Sequence, residues 1–127
     1  MGSGGGHAPQ ALTRDFEKRP WGKFVVLGRY PGITVKIITV NPGSRLSLQK
    51  HALRDEEWLC LEGNAVAQVD GTKRRLRPGS RAYVPRNHLH RLSSKSGAEI
   101  LEVGYGDFRE SDIVRVEDDY GRIRKKD

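Results

Sequence analysis

The sequence predicts an all-β domain, a barrel or sandwich of about ten short strands. Three observations lead there. Apolar residues recur in short β-branched runs. Gly, Pro and Asn punctuate those runs. Helical periodicity is nearly absent, and no long amphipathic helix separates the runs, which disfavours a parallel α/β fold.

Taken in order, a short helix is expected at 15–19, and the first strand at 23–27. Pro31-Gly32 turns the chain into 33–40, and Pro42-Gly43 turns it into 46–50; proline sets φ and glycine opens it. The run 57–62 reverses through Glu62-Gly63-Asn64 into 65–69. Asp70-Gly71 tolerates positive φ and closes a hairpin onto 73–76. Pro78-Gly79 leads to 81–84, and Pro85-Arg86-Asn87 leads to 90–93. Runs at 99–104 and 112–117 complete the set. Pro-Gly-Ser-Arg occurs at 42–45 and again at 78–81, each time ahead of a histidine-bearing strand, which hints at internal duplication.

The 127 residues suit one domain. Residues 1–13 read as a glycine-rich tail, 14–122 as the folded domain and 123–127 as a basic tail. Cys60 is the single cysteine, so an intrachain disulfide is excluded and a packing role in the core is expected. No stretch approaches a membrane span, and the N-terminus lacks signal-peptide features, so a cytoplasmic protein is expected. The net charge of +7 suits anionic partners. The basic residues are spread along the chain and few aromatics interleave with them, which speaks against nucleic acid and for a small anion.

Histidines are scarce, so their positions carry weight. Gln49 and His51 lie two apart and share a face of one strand. Glu56 opens the next strand, on the same face as Trp58, and the 85–87 turn delivers His90 to a later strand. Two imidazoles, a carboxylate and an amide oxygen converging inside a barrel suit one divalent ion, Zn, Mn, Co, Ni or Fe.

Gly43-x5-Gln49-x-His51-x4-Glu56-x6-Gly63 resembles the first cupin motif, with Gln in place of its first His. Gly79-x5-Pro85-x-Asn87-x2-His90 resembles the second, with Asn87 at the usual glycine and Ser94 at the final asparagine. Further strings, Arg19-Pro20-Trp21-Gly22, His51-x2-Arg54-x-Glu56-x-Trp58, and the closing 110–115 and 118–122 segments, resemble the cupin domain of type II phosphomannose isomerases. The resemblance implies a single cupin (double-stranded β-helix, or jelly-roll) barrel with metal ligands Gln49, His51, Glu56 and His90. It also implies interconversion of mannose 6-phosphate and fructose 6-phosphate through a cis-enediolate. Arg122, Arg54 and Lys36 are the candidate catalytic cations, suited to an oxyanion or a phosphate. Arg45, His88 and Trp58 are candidate substrate contacts. A metal-bound hydroxide, Glu56 or His88 could each serve as the base. Asp118 and Asp119 are expected to cap or to pair with arginines. No glycine-rich phosphate loop of the nucleotidyltransferase domain fused to many relatives is found, so guanylyl transfer is not expected. A homodimer joined through edge strands is expected of such a small barrel. The alternatives are a non-catalytic metal-containing sugar-binding cupin, a cupin acting on another small sugar, and an iron oxygenase. Gln49 and the closing motif speak against the last.

Overall fold

The computed structural model describes residues 16–109 and 111–123. The predicted tail at 1–13, Glu110 of the closing motif and 124–127 of the basic tail lie outside the described residues. The strands are β1 (Phe16–Arg19), β2 (Gly22–Tyr30), β3 (Ile33–Val40), β4 (Ser44–Arg45), β5 (Leu48–Lys50) and β6 (Arg54–Gly63). They continue with β7 (Ala65–Val69), β8 (Thr72–Leu76), β9 (Arg81–Val84), β10 (His90–Ser94), β11 (Ala98–Gly106) and β12 (Val114–Glu117). A six-stranded antiparallel sheet has the order β9-β6-β11-β3-β2-β1. The other sheet has the order β12-β5-β10-β7-β8, with β4 pairing onto β10. The core draws on both: Trp58, Ile38, Val40 and Ile100 from the first, Leu92, Ala67 and Leu76 from the second. This is the jelly-roll arrangement expected.

Strand alternation decides where the site lies. On the inner face of the large sheet, β3 presents Lys36, Ile38 and Val40, β11 presents Glu102, Ile100 and Ala98, and β6 presents Arg54, Glu56, Trp58 and Cys60. The register aligns Lys36 with Glu102 and Glu102 with Trp58, while Ile38, Ile100 and Cys60 share the next inward row. One end of the interior is therefore polar and the other apolar. Buried charge can persist at the polar end only where it is paired or hydrogen-bonded. Cys60 sits in the apolar end, as its strand context predicts.

Two turns need their residues. Asn87 has φ 66°, the left-handed conformation that asparagine tolerates, and its N–H donates to the carbonyl of His51 at 2.7 Å. Gly63 has φ 78°, and a Cβ there would stand 2.2 Å from the carbonyl oxygen of Gly97. Ser94 stands where the motif's asparagine is usual. Its hydroxyl accepts from Gly97 N–H at 2.8 Å and donates to the Asn64 carbonyl, tying the same two turns together.

The structure corrects several boundaries. The helix expected at 15–19 is absent from its described part, which is strand β1; Phe16–Arg19 pairs with β2 through a turn at Pro20-Trp21. A ladder on a neighbouring strand outweighs weak helical preference in so short a segment. The strand expected at 46–50 is shortened to β5, with the separate piece β4 ahead of it, and the one expected at 57–62 begins at Arg54. Residues 54–57 are polar and do not read as strand, yet β11 pairs with them as far as Gly106↔Arg54.

Candidate metal centre

His51 follows β5, Glu56 lies on β6, and His90 opens β10. All three are buried, and their ligating atoms lie within 4.8 Å of one another. Glu56 stands between the rings, with Oε2 3.6 Å from His51 Nε2 and Oε1 3.4 Å from His90 Nε2. The imidazole centroids are 4.9 Å apart.

Backbone carbonyls set the tautomers. His51 Nδ1 donates to the carbonyl of Asp112 at 2.7 Å, and His90 Nδ1 donates to that of His88 at 2.9 Å. A carbonyl only accepts, so each ring carries a proton on Nδ1, and in the neutral tautomer the Nε2 lone pair faces Glu56. Burial pushes the His51 imidazole down to about 4; Arg54 and His90 reinforce this and the Glu56 charge opposes it. His51 is thus neutral near pH 7. Burial pushes Glu56 up, but His90, His51 and Arg54 outweigh it and hold the carboxyl well below its usual range.

A carboxylate and the Nε2 atoms of two imidazoles therefore meet in a buried space. His90 Nε2 makes no hydrogen bond although fully buried. Arg54 satisfies the other side: its Nε donates to Glu56 Oε2 at 2.9 Å, and its Nη2 lies 3.1 Å from His51 Nε2. A buried imidazole nitrogen without a partner beside a carboxylate is an environment that a divalent cation can relieve, and the ligand types fit one. The carbonyls that orient the two rings supply the outer support a metal site needs. Gln49 stands beside them. Its Nε2 is 3.3 Å from His51 Nε2, and its Oε1 accepts from the Ser47 hydroxyl. A half-turn of the amide exchanges these ends, because a hydroxyl both donates and accepts.

Above the cluster opens a pocket lined by five cations, Arg19, Lys36, Arg54, Arg115 and Arg122, and by two carboxylates, Glu56 and Glu102. Arg54 packs under Phe108, its guanidinium carbon 3.8 Å from the ring centroid. The Lys36 ammonium lies between Phe24 and Phe108, at 4.2 and 4.1 Å. Arg122 is held by Asp118 through two side-chain bonds of 2.8 and 2.9 Å, and this pairing keeps the Asp118 carboxyl at about 2. Arg45 donates a fork to Asp119 at 2.7 and 2.8 Å. The expected acid–arginine pairing of Asp118 and Asp119 is therefore present.

Three sequence candidates take other places. Arg45 is held by Asp119 away from this pocket. The His88 side chain turns outward to Asp70 at 3.2 Å, and only its carbonyl serves the site. Trp58 is 1% exposed, stands edge-on to His90, and donates from Nε1 to Glu102 at 2.9 Å, so it supports the centre from below.

Sequence reading missed Glu102, Arg19, Arg115, Phe108 and the part played by Asp112. Burial, the leading cause, and the Glu56 charge raise the Glu102 carboxyl above its ordinary value, against Lys36, Trp58 and Arg54. Its signal was parity: a carboxylate in step with Ile100 and Gly104 on an otherwise apolar strand face. Asp112 accepts from the N–H groups of Ala52 and Leu53 at 2.9 Å each, while its carbonyl holds His51. No local pattern announces that contact across sixty residues.

A jelly roll with two inward imidazoles and a carboxylate at one end is a cupin. Solved structures of low identity share the fold. An RmlC-like cupin from Shewanella frigidimarina superposes with a TM-score of 0.72 at 20% identity, covering 83% of this chain and 94% of that one. KdgF from Halomonas sp. gives 0.69 at 17%, covering 76% and 89%. The chain belongs to the family described as mannose-6-phosphate isomerase C-terminal, whose match runs over residues 9–118. The alginate biosynthesis protein AlgA of Pseudomonas aeruginosa is 41% identical over 107 residues, 82% of this chain and 22% of the relative. Mannose-1-phosphate guanylyltransferase ManC of Salmonella typhimurium is 37% identical over 108 residues, 83% and 22%. The xanthan biosynthesis protein XanB of Xanthomonas campestris is 39% identical over 107 residues, 82% and 23%. The chain thus spans less than a quarter of the length of these curated relatives. Among the described residues no helix is long and apolar enough to cross a membrane.

Proposed function

We propose that this domain isomerises a phosphorylated aldose to its ketose, with mannose 6-phosphate and fructose 6-phosphate as the pair. One observation carries the reading: a neutral imidazole and a carboxylate that suit a cation lie at the base of a pocket whose lining holds five cationic side chains and two carboxylates. The family description supports the choice of sugar.

His51, Glu56 and His90, with Gln49, would hold one divalent ion, Zn, Mn, Co, Ni or Fe, which when bound supplies Lewis-acid polarisation of the sugar carbonyl and its enediolate. The chain does the rest. Arg122, fixed by Asp118, and its neighbours Arg19 and Arg115 bind the phosphate, for which the guanidinium fork is suited. Glu102, which burial raises above the ordinary carboxylate value, takes the proton from one sugar carbon and returns it to the adjacent carbon. His88 turns out of the pocket, so Glu102 is the better base. Lys36 stands opposite Glu102 in the β3–β11 register, and its charge favours the Glu102 carboxylate. Trp58 and the aromatic walls keep this end of the barrel dry.

The test is a coupled mannose 6-phosphate assay on protein loaded with each ion in turn, with bound metal measured. Turnover that chelation abolishes is expected. His90→Ala should lose the ion. Glu102→Gln should keep the ion and lose roughly 10²–10⁴ in kcat. Arg122→Ala should keep the ion and lose turnover. Absence of turnover in fully loaded wild-type protein refutes the activity, and full metal content in His90→Ala refutes the site.

A further inference from the structure

The sheet of β12, β5, β10, β7 and β8 carries a second concavity, of about 880 Å³, on the side turned away from the core. Its volume lies within the ~300–1,000 Å³ of small-molecule sites, and it shares no residue with the pocket over the metal centre. Strand parity builds it. Leu92, Ala67 and Leu76 point into the core, so their neighbours along each strand point out. Arg45, Ser93, Val66 and Arg75 thus form one outward row across β4, β10, β7 and β8. Arg77 stands just past β8. Lys95 stands just past β10, where its carbonyl accepts from Gly43 N–H at 3.0 Å.

The lining is cationic at both ends. Arg45 and Lys95 stand at the β4 end, Arg75 and Arg77 at the β8 end. The two ends of the row are three strand spacings apart, about 14 Å between backbones. Asp119 is the one carboxylate of the lining, and Arg45 takes up both its oxygens, at 2.7 and 2.8 Å. Among the described residues no carboxylate pairs with Arg75, Arg77 or Lys95. Arg91 lies on the same outward side, two residues before Ser93, and is 5% exposed. Its Nε donates to the Leu46 carbonyl and its Nη1 to Glu117, while Nη2 is buried without a partner. A buried guanidinium short of an acceptor favours an anion brought to that side.

We propose that this concavity binds a sugar bearing two phosphate groups, one held by Arg45 and Lys95 and the other by Arg75 and Arg77. Guanidinium forks suit phosphate oxygens, and a single phosphate reaches only one of the two ends. Between the ends, the side chains of Ser44, Ser93 and Asn64 make no hydrogen bond among the described residues, which leaves them for sugar hydroxyls. Val66 offers an apolar patch to the carbon-bound hydrogens of the ring. No aromatic side chain lines the concavity, so a nucleobase would find no stacking partner. The site is independent of the metal centre and of the activity assigned to it. It also gives Arg45, which stands outside the metal pocket, an anion to meet.

Amide NMR spectra of the isotope-labelled full chain test this, with fructose 1,6-bisphosphate and glucose 1,6-bisphosphate as probes and mannose 6-phosphate and free mannose beside them. At least one bisphosphate should shift the amides of Ser93, Val66 and Arg75 saturably. Mannose 6-phosphate should act on those amides at least about tenfold more weakly, and mannose not at all. Arg75→Glu and Lys95→Glu, one at each end, should each weaken the bisphosphate more than about tenfold, because each sets a like charge against a phosphate. Both side chains are exposed, so the variants should fold, and circular dichroism and the unfolding midpoint verify this. Four results each overturn the proposal: no saturable shift with either bisphosphate, shifts confined to the amides of Arg54 and Glu102 in the metal pocket, equal affinity for mannose 6-phosphate at Ser93, or binding indifferent to both variants.

Discussion

Protonation of His51 should make the metal-free protein acid-sensitive in a window that can be calculated. The unfolded chain binds a proton at the ordinary imidazole value of 6.5, whereas the buried ring in the fold resists protonation down to about 4. As the pH falls, the unfolded state takes up its proton first. The stability His51 contributes is therefore complete above 6.5, is lost as pH falls through that value, and is gone below about 4. The whole gap corresponds to about 3 kcal/mol, of which about 2 kcal/mol falls between pH 7 and pH 5. That lowers a urea midpoint by about 1 M. The assay is urea unfolding of chelator-treated protein at both pH values, beside His51→Gln. Titrating groups away from the centre are common to both proteins and cancel in the comparison. Glu56, depressed in the fold, loses its own contribution only at lower pH. The variant should show a drop between pH 7 and pH 5 smaller by about 2 kcal/mol. Equal drops in both proteins would mean that His51 is not a buried neutral imidazole, and the reading of the centre as lone pairs awaiting a cation would fail with it.

Two further outcomes follow from particular contacts. Asp112→Ala removes the carboxylate that accepts from Ala52 and Leu53 N–H and loosens the carbonyl that orients His51; divalent-ion affinity, read by competition with a chelating dye, should fall 10–100-fold. Gly43 and Gly63 have nearly the same positive φ, 76° and 78°, but a Cβ at Gly43 meets nothing within 4 Å. Gly43→Ala should therefore cost about 1–2 kcal/mol, the left-handed penalty alone. Gly63→Ala should cost clearly more, because backbone at Gly97 must move; equal thermal midpoints for the two would refute this.

The jelly roll was legible because its signals are local. Strand alternation and turn dipeptides need no knowledge of distant residues, and Asp70-Gly71 and Asn87 take the positive φ their chemistry allows. The candidate ligands His51, Glu56 and His90 were legible for a related reason: their spacing along the chain matches the two cupin motifs, and His90 follows a turn written in Pro and Asn. The segment at 16–19 misled because four charged and aromatic residues carry little preference of their own, and only pairing with β2 makes them strand. Whether a polar side chain faces inward or outward in a loop or a two-residue strand was likewise undetermined. Arg45 and His88 looked like Arg54 and His90 in sequence, but Asp119 and Asp70 draw the first two outward. Sequence alone therefore determined the alternation, the turns and the chemical types gathered for a cation. The tertiary structure alone decided that Glu102, Arg19 and Arg115 join them and that Asp112 holds His51. Those contacts depend on how the strands of the two sheets register across long separations, and no short-range preference encodes that.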